Sequence, residues 1–177
     1  MKYLIMCEGP NELEIINILL DNDCLRFTRD NLLGLEAYHA RQIKGSSVVQ
    51  IALNMYPGKV EVLRIGDKLN EKLQIPKDYA DKIISVEKYC TKPELEMLLI
   101  ISEGLTKEFE KVKSNEKAKT FAKRNVKCGR RSYKNDTSFY TEYYGNDVKK
   151  LVASIKEYRH IKGAHEKDEH YLEELLK

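Results

Sequence analysis

The chain has 177 residues, of which 42% are hydrophobic and 33% are charged, and it contains no tryptophan. This length fits one domain with a small appendage, and it buries enough surface to fold without disulfides or a structural metal. The four cysteines form no C-x-x-C pair, which argues against a zinc knuckle and favours reduced thiols in a cytoplasmic protein. No apolar run approaches the ~20 residues of a membrane span, so we expect no contact with a membrane.

The net charge of +3 is unevenly distributed along the sequence. Residues 107–134 contain eleven Lys and Arg but three Glu, which leaves a net charge of −5 on the rest of the chain. A basic segment on an acidic body indicates a polyanionic partner such as nucleic acid. The alternative is a helix face that is simply solvated.

The first 104 residues alternate predicted strands and helices. Strands are predicted at Tyr3–Cys7, a continuous apolar run typical of a strand buried on both faces, and at Val60–Ile65 and the shorter Ile83–Val86, with an ambiguous strand at Leu35–Tyr38. Helices are predicted from Pro10, from Ser46 and from Thr91. This alternation predicts an α/β domain with a parallel sheet.

After Leu105, charged stretches with helical periodicity replace the apolar runs. Helices are predicted at Thr106–Lys123, Asp147–Tyr158 and Asp168–Leu176. The stretch Asn125–Tyr144 is rich in Gly, Asn and Tyr and is predicted to be irregular. We therefore divide the chain into an α/β domain at residues 1–104 and a basic, mainly helical extension at residues 105–177.

Acidic residues stand at the carboxyl ends of the predicted strands, where open parallel sheets bind ligands. Glu8 ends the first strand, Asp67 ends a later one, and Glu12 lies one helical turn after Glu8. Glu94 and Glu96 open the helix that follows the third strand. Converging carboxylates repel one another unless a cation joins them, and oxygen-only ligands suit Mg²⁺ or Mn²⁺. The alternatives are that Glu12, Glu94 and Glu96 complement helix dipoles and that Asp67 is a turn residue.

The stretch Tyr3–Glu12, an apolar strand followed by Glu-Gly and by an acid in the next helix, resembles the first motif of Toprim domains. Such domains occur in topoisomerases, bacterial primases, small ribosomal-RNA maturases and the overcoming-lysogenization-defect class of defence nucleases. Their second motif, Asp-x-Asp, is matched at Val62–Leu69, where Asp67 fits but Leu69 replaces the second aspartate. Lys92–Glu96 resembles a further acidic motif of the nuclease-like branches, and its carboxylates would compensate for that replacement.

The resemblance covers about residues 1–104 and implies a compact fold with a mostly parallel, four-stranded sheet. It also implies Mg²⁺-dependent cleavage of phosphodiesters in RNA or DNA, in defence or RNA processing, with Glu8 as general acid and base. The metal ligands would be Asp67, Glu94 and Glu96, joined by Glu12. Because of Leu69, the alternative is a non-catalytic Toprim-like module that binds nucleic acid or a protein partner and has a degenerate metal site.

The basic segment offers candidate contacts to nucleic acid, with aromatic residues close behind. The candidates are Lys123, Arg124, Lys127, Arg130, Arg131 and Lys134. The aromatic residues are Tyr133, Phe139, Tyr140, Tyr143 and Tyr144. Cations neutralise phosphates and aromatic rings stack on unpaired bases, a combination that suits single-stranded or looped RNA. The alternative for the aromatic residues is ordinary packing between helices.

Overall fold

The computed structural model describes residues 1–67, 69–161 and 165–177. Strands are found at β1 (Lys2–Cys7), β2 (Tyr38–His39), β3 (Val60–Gly66), β4 (Ile83–Cys90), β5 (Lys127–Cys128), β6 (Arg131–Ser132) and β7 (Glu169–Tyr171). Helices are found at α1 (Pro10–Asp21), α2 (Ser47–Met55), α3 (Met97–Ser102), α4 (Thr106–Val112), α5 (Ala118–Asn125), α6 (Thr137–Gly145) and α7 (Val148–Tyr158). Short 3-10 helices occupy Arg29–Asn31, Leu33–Leu35, Lys77–Tyr79 and Leu172–Leu175.

Within these described ranges the main sheet has five parallel strands in the order β2-β1-β3-β4-β7, while β5 and β6 form a separate antiparallel hairpin. The prediction of an α/β fold with a parallel sheet is thus confirmed. The central strands are apolar on both faces, as the run Leu4–Cys7 shows, because helices cover both sides of the sheet.

The predicted count of four strands is wrong, because the C-terminal segment adds a fifth. The helix predicted at Asp168–Leu176 is instead the strand β7, which pairs with β4, followed by the 3-10 helix Leu172–Leu175. The Lys92 ammonium binds both carboxylate oxygens of Glu169 at 2.7 and 2.8 Å and so fixes β7 at the sheet edge. This tertiary pairing outweighs the weak local preference for a helix.

Two further predictions in the second half of the chain also need correction. The helix predicted at Thr106–Lys123 is two helices, α4 and α5, separated by a turn that contains the turn-forming pair Ser114-Asn115. The stretch predicted to be irregular contains the β5–β6 hairpin and α6. The Asp136 carboxylate caps α6 by accepting a hydrogen bond from the Phe139 amide at 2.9 Å.

The core has two parts, one on each face of the sheet. Ile5 and Leu63 face a large cluster that includes side chains of α1, α3, α5, α6 and α7, whereas Leu4 and Val62 face a smaller cluster under α2. Helices from both sides of the predicted boundary after residue 104 contribute to the large cluster. No helix in the described parts of the chain is long and apolar enough to cross a membrane.

Candidate functional site

Glu8 and Asp67 meet at the carboxyl ends of the adjacent strands β1 and β3. The Glu8 amide donates a hydrogen bond to the Ile65 carbonyl at 2.8 Å, which places Glu8 over the end of β3. A Cβ atom on Gly66 would lie 2.5 Å from Glu8 Oε2 and 2.7 Å from Glu8 Cβ. Glycine is therefore required at position 66, directly before Asp67, for the Glu8 side chain to lie where it does.

A cleft of about 550 Å³ opens at this edge of the sheet and is lined by carboxylates that the sequence singled out. These are Glu8, Glu12, Asp67 and Glu96, and we call the space that they share the carboxylate cleft. They follow the ends of three neighbouring strands, β1, β3 and β4. Arg41, Lys119 and residues 135–137 also line it, together with residues 9–11 and Leu95.

The fifth predicted acidic ligand, Glu94, has a different position. Its Oε2 atom accepts a hydrogen bond from the backbone amide of Lys119 at 2.7 Å, in the first turn of α5. Glu94 lines a neighbouring cavity, to which Asp67 also contributes. Its carboxylate thus satisfies an amide group at the start of a helix, as a capping side chain does.

Glu96 is held in place by groups from the C-terminal half of the chain. It is 3% exposed, and the Tyr133 hydroxyl donates a hydrogen bond to its Oε1 atom at 2.6 Å. The Lys119 ammonium lies 3.8 Å from the same oxygen. Burial raises the pKa of Glu96, and the Tyr133 hydrogen bond opposes this rise. The sequence did not reveal this role of Tyr133, because nothing in the local pattern links it to a residue 37 positions away.

Glu12 is a carboxylate of the cleft whose protonation is shifted towards neutral pH. Burial, aided by the negative charges of Asp67, Glu8 and Glu96, raises the pKa of Glu12 to about 7. A Cβ atom on Gly9 would lie 2.6 Å from Glu12 Oε2, so this carboxylate also approaches the backbone closely. Glu12 therefore exchanges its proton near neutral pH.

Two arginines that were not among the predicted site residues lie beside Glu8. Arg41 Nε donates to the Glu8 carbonyl at 3.2 Å, and Arg41 Nη2 lies 3.9 Å from Glu8 Oε1. Arg64 is 4% exposed and donates to the Glu71 carbonyl at 2.6 Å. Burial lowers the pKa of Arg64, and the charge of Glu8 is the largest influence that opposes this shift. A charged residue inside the apolar strand β3 was a signal that could have identified Arg64.

The donor set of the carboxylate cleft fits a hard cation such as Mg²⁺, since its acidic groups offer oxygen atoms alone. As they stand, no three His, Cys, Asp or Glu side chains of the described residues form a group that could hold a metal ion. Mg²⁺ does not need three, because it usually keeps several waters and binds one or two carboxylates together with substrate phosphates. Leu69, at the position of the second aspartate in the Toprim resemblance, is buried at 3% exposure and supplies packing.

The resemblance to Toprim domains rests on the motif residues alone. No protein-family model, curated protein or solved structure matches the chain. The geometry of the carboxylate cleft and the chemistry of its side chains are therefore the evidence for its function.

The predicted nucleic-acid contacts lie on α5 and on the β5–β6 hairpin and its flanks. Exposed members of the set are Lys123, Arg124, Lys127, Arg130 and Lys134. Arg124 is paired with Glu116 at 2.8 Å, and Arg131 is paired with Glu142 at 2.8 Å and with Asp136. Lys123, Lys127, Arg130 and Lys134 are thus better placed to meet a phosphate backbone than the two paired arginines.

The aromatic residues near the basic segment pack in the core and are not base-stacking groups. The buried set comprises Tyr133, Phe139, Tyr140, Tyr143 and Tyr144, each at most 7% exposed. Tyr133 and Phe139 meet edge to face with their ring centroids 5.2 Å apart. Of the two interpretations of these residues, packing between helices is the correct one, and stacking on bases is wrong.

Proposed function

We propose that the chain is a nuclease-type phosphodiesterase that depends on Mg²⁺ or Mn²⁺ and cleaves RNA or DNA at the carboxylate cleft. The observation that carries this proposal is the meeting of Glu8, Glu12, Asp67 and Glu96 in one cleft at the carboxyl edge of a parallel sheet. Open parallel sheets bind their ligands at this edge. Paired carboxylates there are suited to a divalent ion and a phosphodiester.

The electrostatics of the cleft support the same conclusion. Burial, with a smaller contribution from the charges of Asp67, Glu8 and Glu96, raises the pKa of Glu12 to about 7, which is an unfavourable arrangement for a purely structural group. Such perturbed carboxylates are concentrated at functional sites. A bound divalent cation would offset the repulsion.

The roles of the side chains follow from their positions. A divalent ion held by Asp67 and Glu96 would polarise the phosphodiester and lower the pKa of the attacking water. Glu8 takes the proton of that water at its carboxylate. Glu12, on the wall of the same cleft, is the candidate donor of a proton to the leaving oxygen. Arg41, on the wall of the cleft, attracts the phosphate.

A polymeric substrate is supported by the continuity between the cleft and the basic hairpin. Lys134 is exposed and directly precedes residues 135–137, which line the cleft. A strand bound in the cleft would meet Lys134 first, next to the hairpin that carries Lys127 and Arg130. Lys and Arg side chains neutralise phosphates whatever the base sequence.

A second candidate function is a non-catalytic module that binds nucleic acid or a protein partner. The buried side chain of Leu69 favours it, because this position offers no carboxylate to an ion. Such a module would retain salt-dependent binding through the exposed lysines and arginines but would have no turnover.

The two functions are separated by assays of wild type and Glu8→Gln on single-stranded RNA and DNA with Mg²⁺ or Mn²⁺. We expect Glu8→Gln to lose at least ~100-fold in cleavage rate, the usual contribution of a general acid or base. Glu157→Gln, on the exposed face of α7, is the matched control and should cleave like wild type. Equal turnover in Glu8→Gln and wild type would contradict the proposed role. Binding without cleavage by the wild type would support the second function.

A further inference from the structure

A second cavity of about 600 Å³ adjoins the carboxylate cleft, and Asp67 lines both spaces. Its apolar lining comes from α3, α4, α5 and the end of α7, through Met97, Phe109, Ala118, Tyr158 and Ile161. We call this space the side cavity. Its volume and apolar walls are those of a small-molecule site.

The walls of the side cavity are part of the core and are therefore preformed. Met97, Phe109, Ala118 and Tyr158 are each at most 5% exposed. Phe109 packs against Phe121 with the ring centroids 5.3 Å apart. The Tyr158 hydroxyl donates a hydrogen bond to the Lys92 carbonyl. A ligand in the cavity would meet fixed side chains and would lose little free energy to their ordering.

The rim of the side cavity carries exposed cations. Lys113 and Lys117 lie there, in the turn between α4 and α5. Lys113 is paired with Glu110 at 2.5 Å, but such an exposed pair is weak and is readily exchanged for a phosphate. The lining also carries four acidic groups: Asp67, Glu94, which accepts from the Lys119 amide, Glu110, which is paired with Lys113, and Glu116, which is paired with Arg124.

We propose that the side cavity binds the nucleobase of the nucleotide next to the scissile phosphate, while Lys113 and Lys117 contact the phosphate that follows. The inference rests on the proposed function and names its substrate class: a strand that is unpaired at this nucleotide. An apolar pocket with exposed lysines at its rim, adjoining the cleft through Asp67, matches a flat base attached to a charged backbone. A paired base would first have to leave the duplex stack, which costs free energy, so single strands are preferred.

The test measures binding, so that it does not depend on turnover. The Glu8→Gln protein with Mg²⁺ is titrated into fluorescent single strands that carry one abasic site, which is moved along the strand position by position. Because contact with a bound base has a large effect on affinity, we expect one position at which the abasic site weakens binding about 10-fold. The same strand paired into a duplex should bind more weakly.

Two variants assign the effect to the side cavity. Ile161→Trp fills the cavity and should remove the position-specific loss, while thermal melting checks that the variant is folded. Lys117→Glu should weaken the binding of all single strands. Lys111→Glu, an exposed residue of α4 with the same charge change, is the matched control and should bind like its parent.

The outcomes separate this inference from the proposed function. Equal effects of abasic sites at every position, or equal affinity for duplex and single strand, would overturn the base-binding role. A position-specific loss of affinity, together with a wild type that never cleaves, would support base binding in the side cavity and would contradict the nuclease function. Cleavage without a position-specific loss of affinity would contradict base binding in the side cavity and leave the nuclease function standing.

Discussion

Glu12 connects the chemistry of the carboxylate cleft to the stability of the fold. Its pKa is raised from 4.5 to about 7, so the folded protein binds more protons than the unfolded chain between these two pH values. Stability that is present below pH 4.5 is therefore lost as the pH rises through this window. At alkaline pH the ionised Glu12 side chain destabilises the protein.

We therefore predict that Glu12→Gln stabilises the metal-free protein at pH 8 and has little effect at pH 4. The shift from 4.5 to about 7 corresponds to roughly 3 kcal/mol at most, so a gain of about 1–3 kcal/mol in the free energy of unfolding is expected at pH 8. Urea unfolding at both pH values measures this gain in stability, with Glu157→Gln as the control. Equal changes in the free energy of unfolding at the two pH values would show that ionisation of Glu12 does not destabilise the fold.

The residues of the candidate site were predictable from sequence to different degrees. Glu8 and Asp67 could be found because they end apolar strands, and strand ends are where parallel sheets place their ligands. Glu94 shares that signal, but its position beside the Lys119 amide depends on α5, which comes from a distant part of the sequence. Tyr133 could not be linked to Glu96 for the same reason.

At the scale of elements, β7 is a segment for which the local sequence pattern predicted the wrong secondary structure. The charged C-terminal stretch has helical periodicity, yet β7 forms a strand because β4 offers an unpaired edge and Lys92 offers a charge to Glu169. The Glu169 side chain is 2% exposed, so its ion pair is almost removed from water. Buried carboxylates are costly when they lose their partner.

Lys92→Met is accordingly predicted to destabilise the protein by about 2–4 kcal/mol, somewhat less than for a fully buried pair because Lys92 is 21% exposed. Lys88→Met is the matched control. Lys88 pairs with Asp168 at 2.8 Å, but the Asp168 side chain is 65% exposed, so this change should cost at most about 1 kcal/mol. Equal losses in the two variants, measured by urea unfolding, would contradict the role of Lys92 in fixing β7.

At the scale of the whole molecule, the α/β pattern predicted the parallel sheet, but composition could not show how far the core extends. Leu19 of α1 and Leu99 of α3 belong to the same core cluster as Phe121, Tyr140 and Leu151 from the second half of the chain. A strand can be predicted from an apolar run because the whole signal lies within a few consecutive residues. Packing between distant helices leaves no comparable local signal.

We predict that a fragment of residues 1–104 does not fold cooperatively. Without the second half of the chain, α1 and α3 would expose side chains that are buried in the full-length protein, and apolar exposure of this extent exceeds the small net stability of a domain. Whether the fragment folds cooperatively is measured by circular dichroism during heating and by the dispersion of its amide proton NMR signals. A cooperative melt with dispersed signals would establish residues 1–104 as an independent domain.

Metal binding by the carboxylate cleft is measured most directly by calorimetric titration of the full-length protein with Mn²⁺. The proposed site predicts saturable binding to the wild type and at least ~10-fold weaker binding to Asp67→Asn, because a ligating carboxylate is then neutral. Asp78→Asn, at an exposed residue of the 3-10 helix Lys77–Tyr79, should bind like the wild type. Absence of saturable binding in the wild type, or equal affinity in Asp67→Asn, would contradict the metal-dependent function.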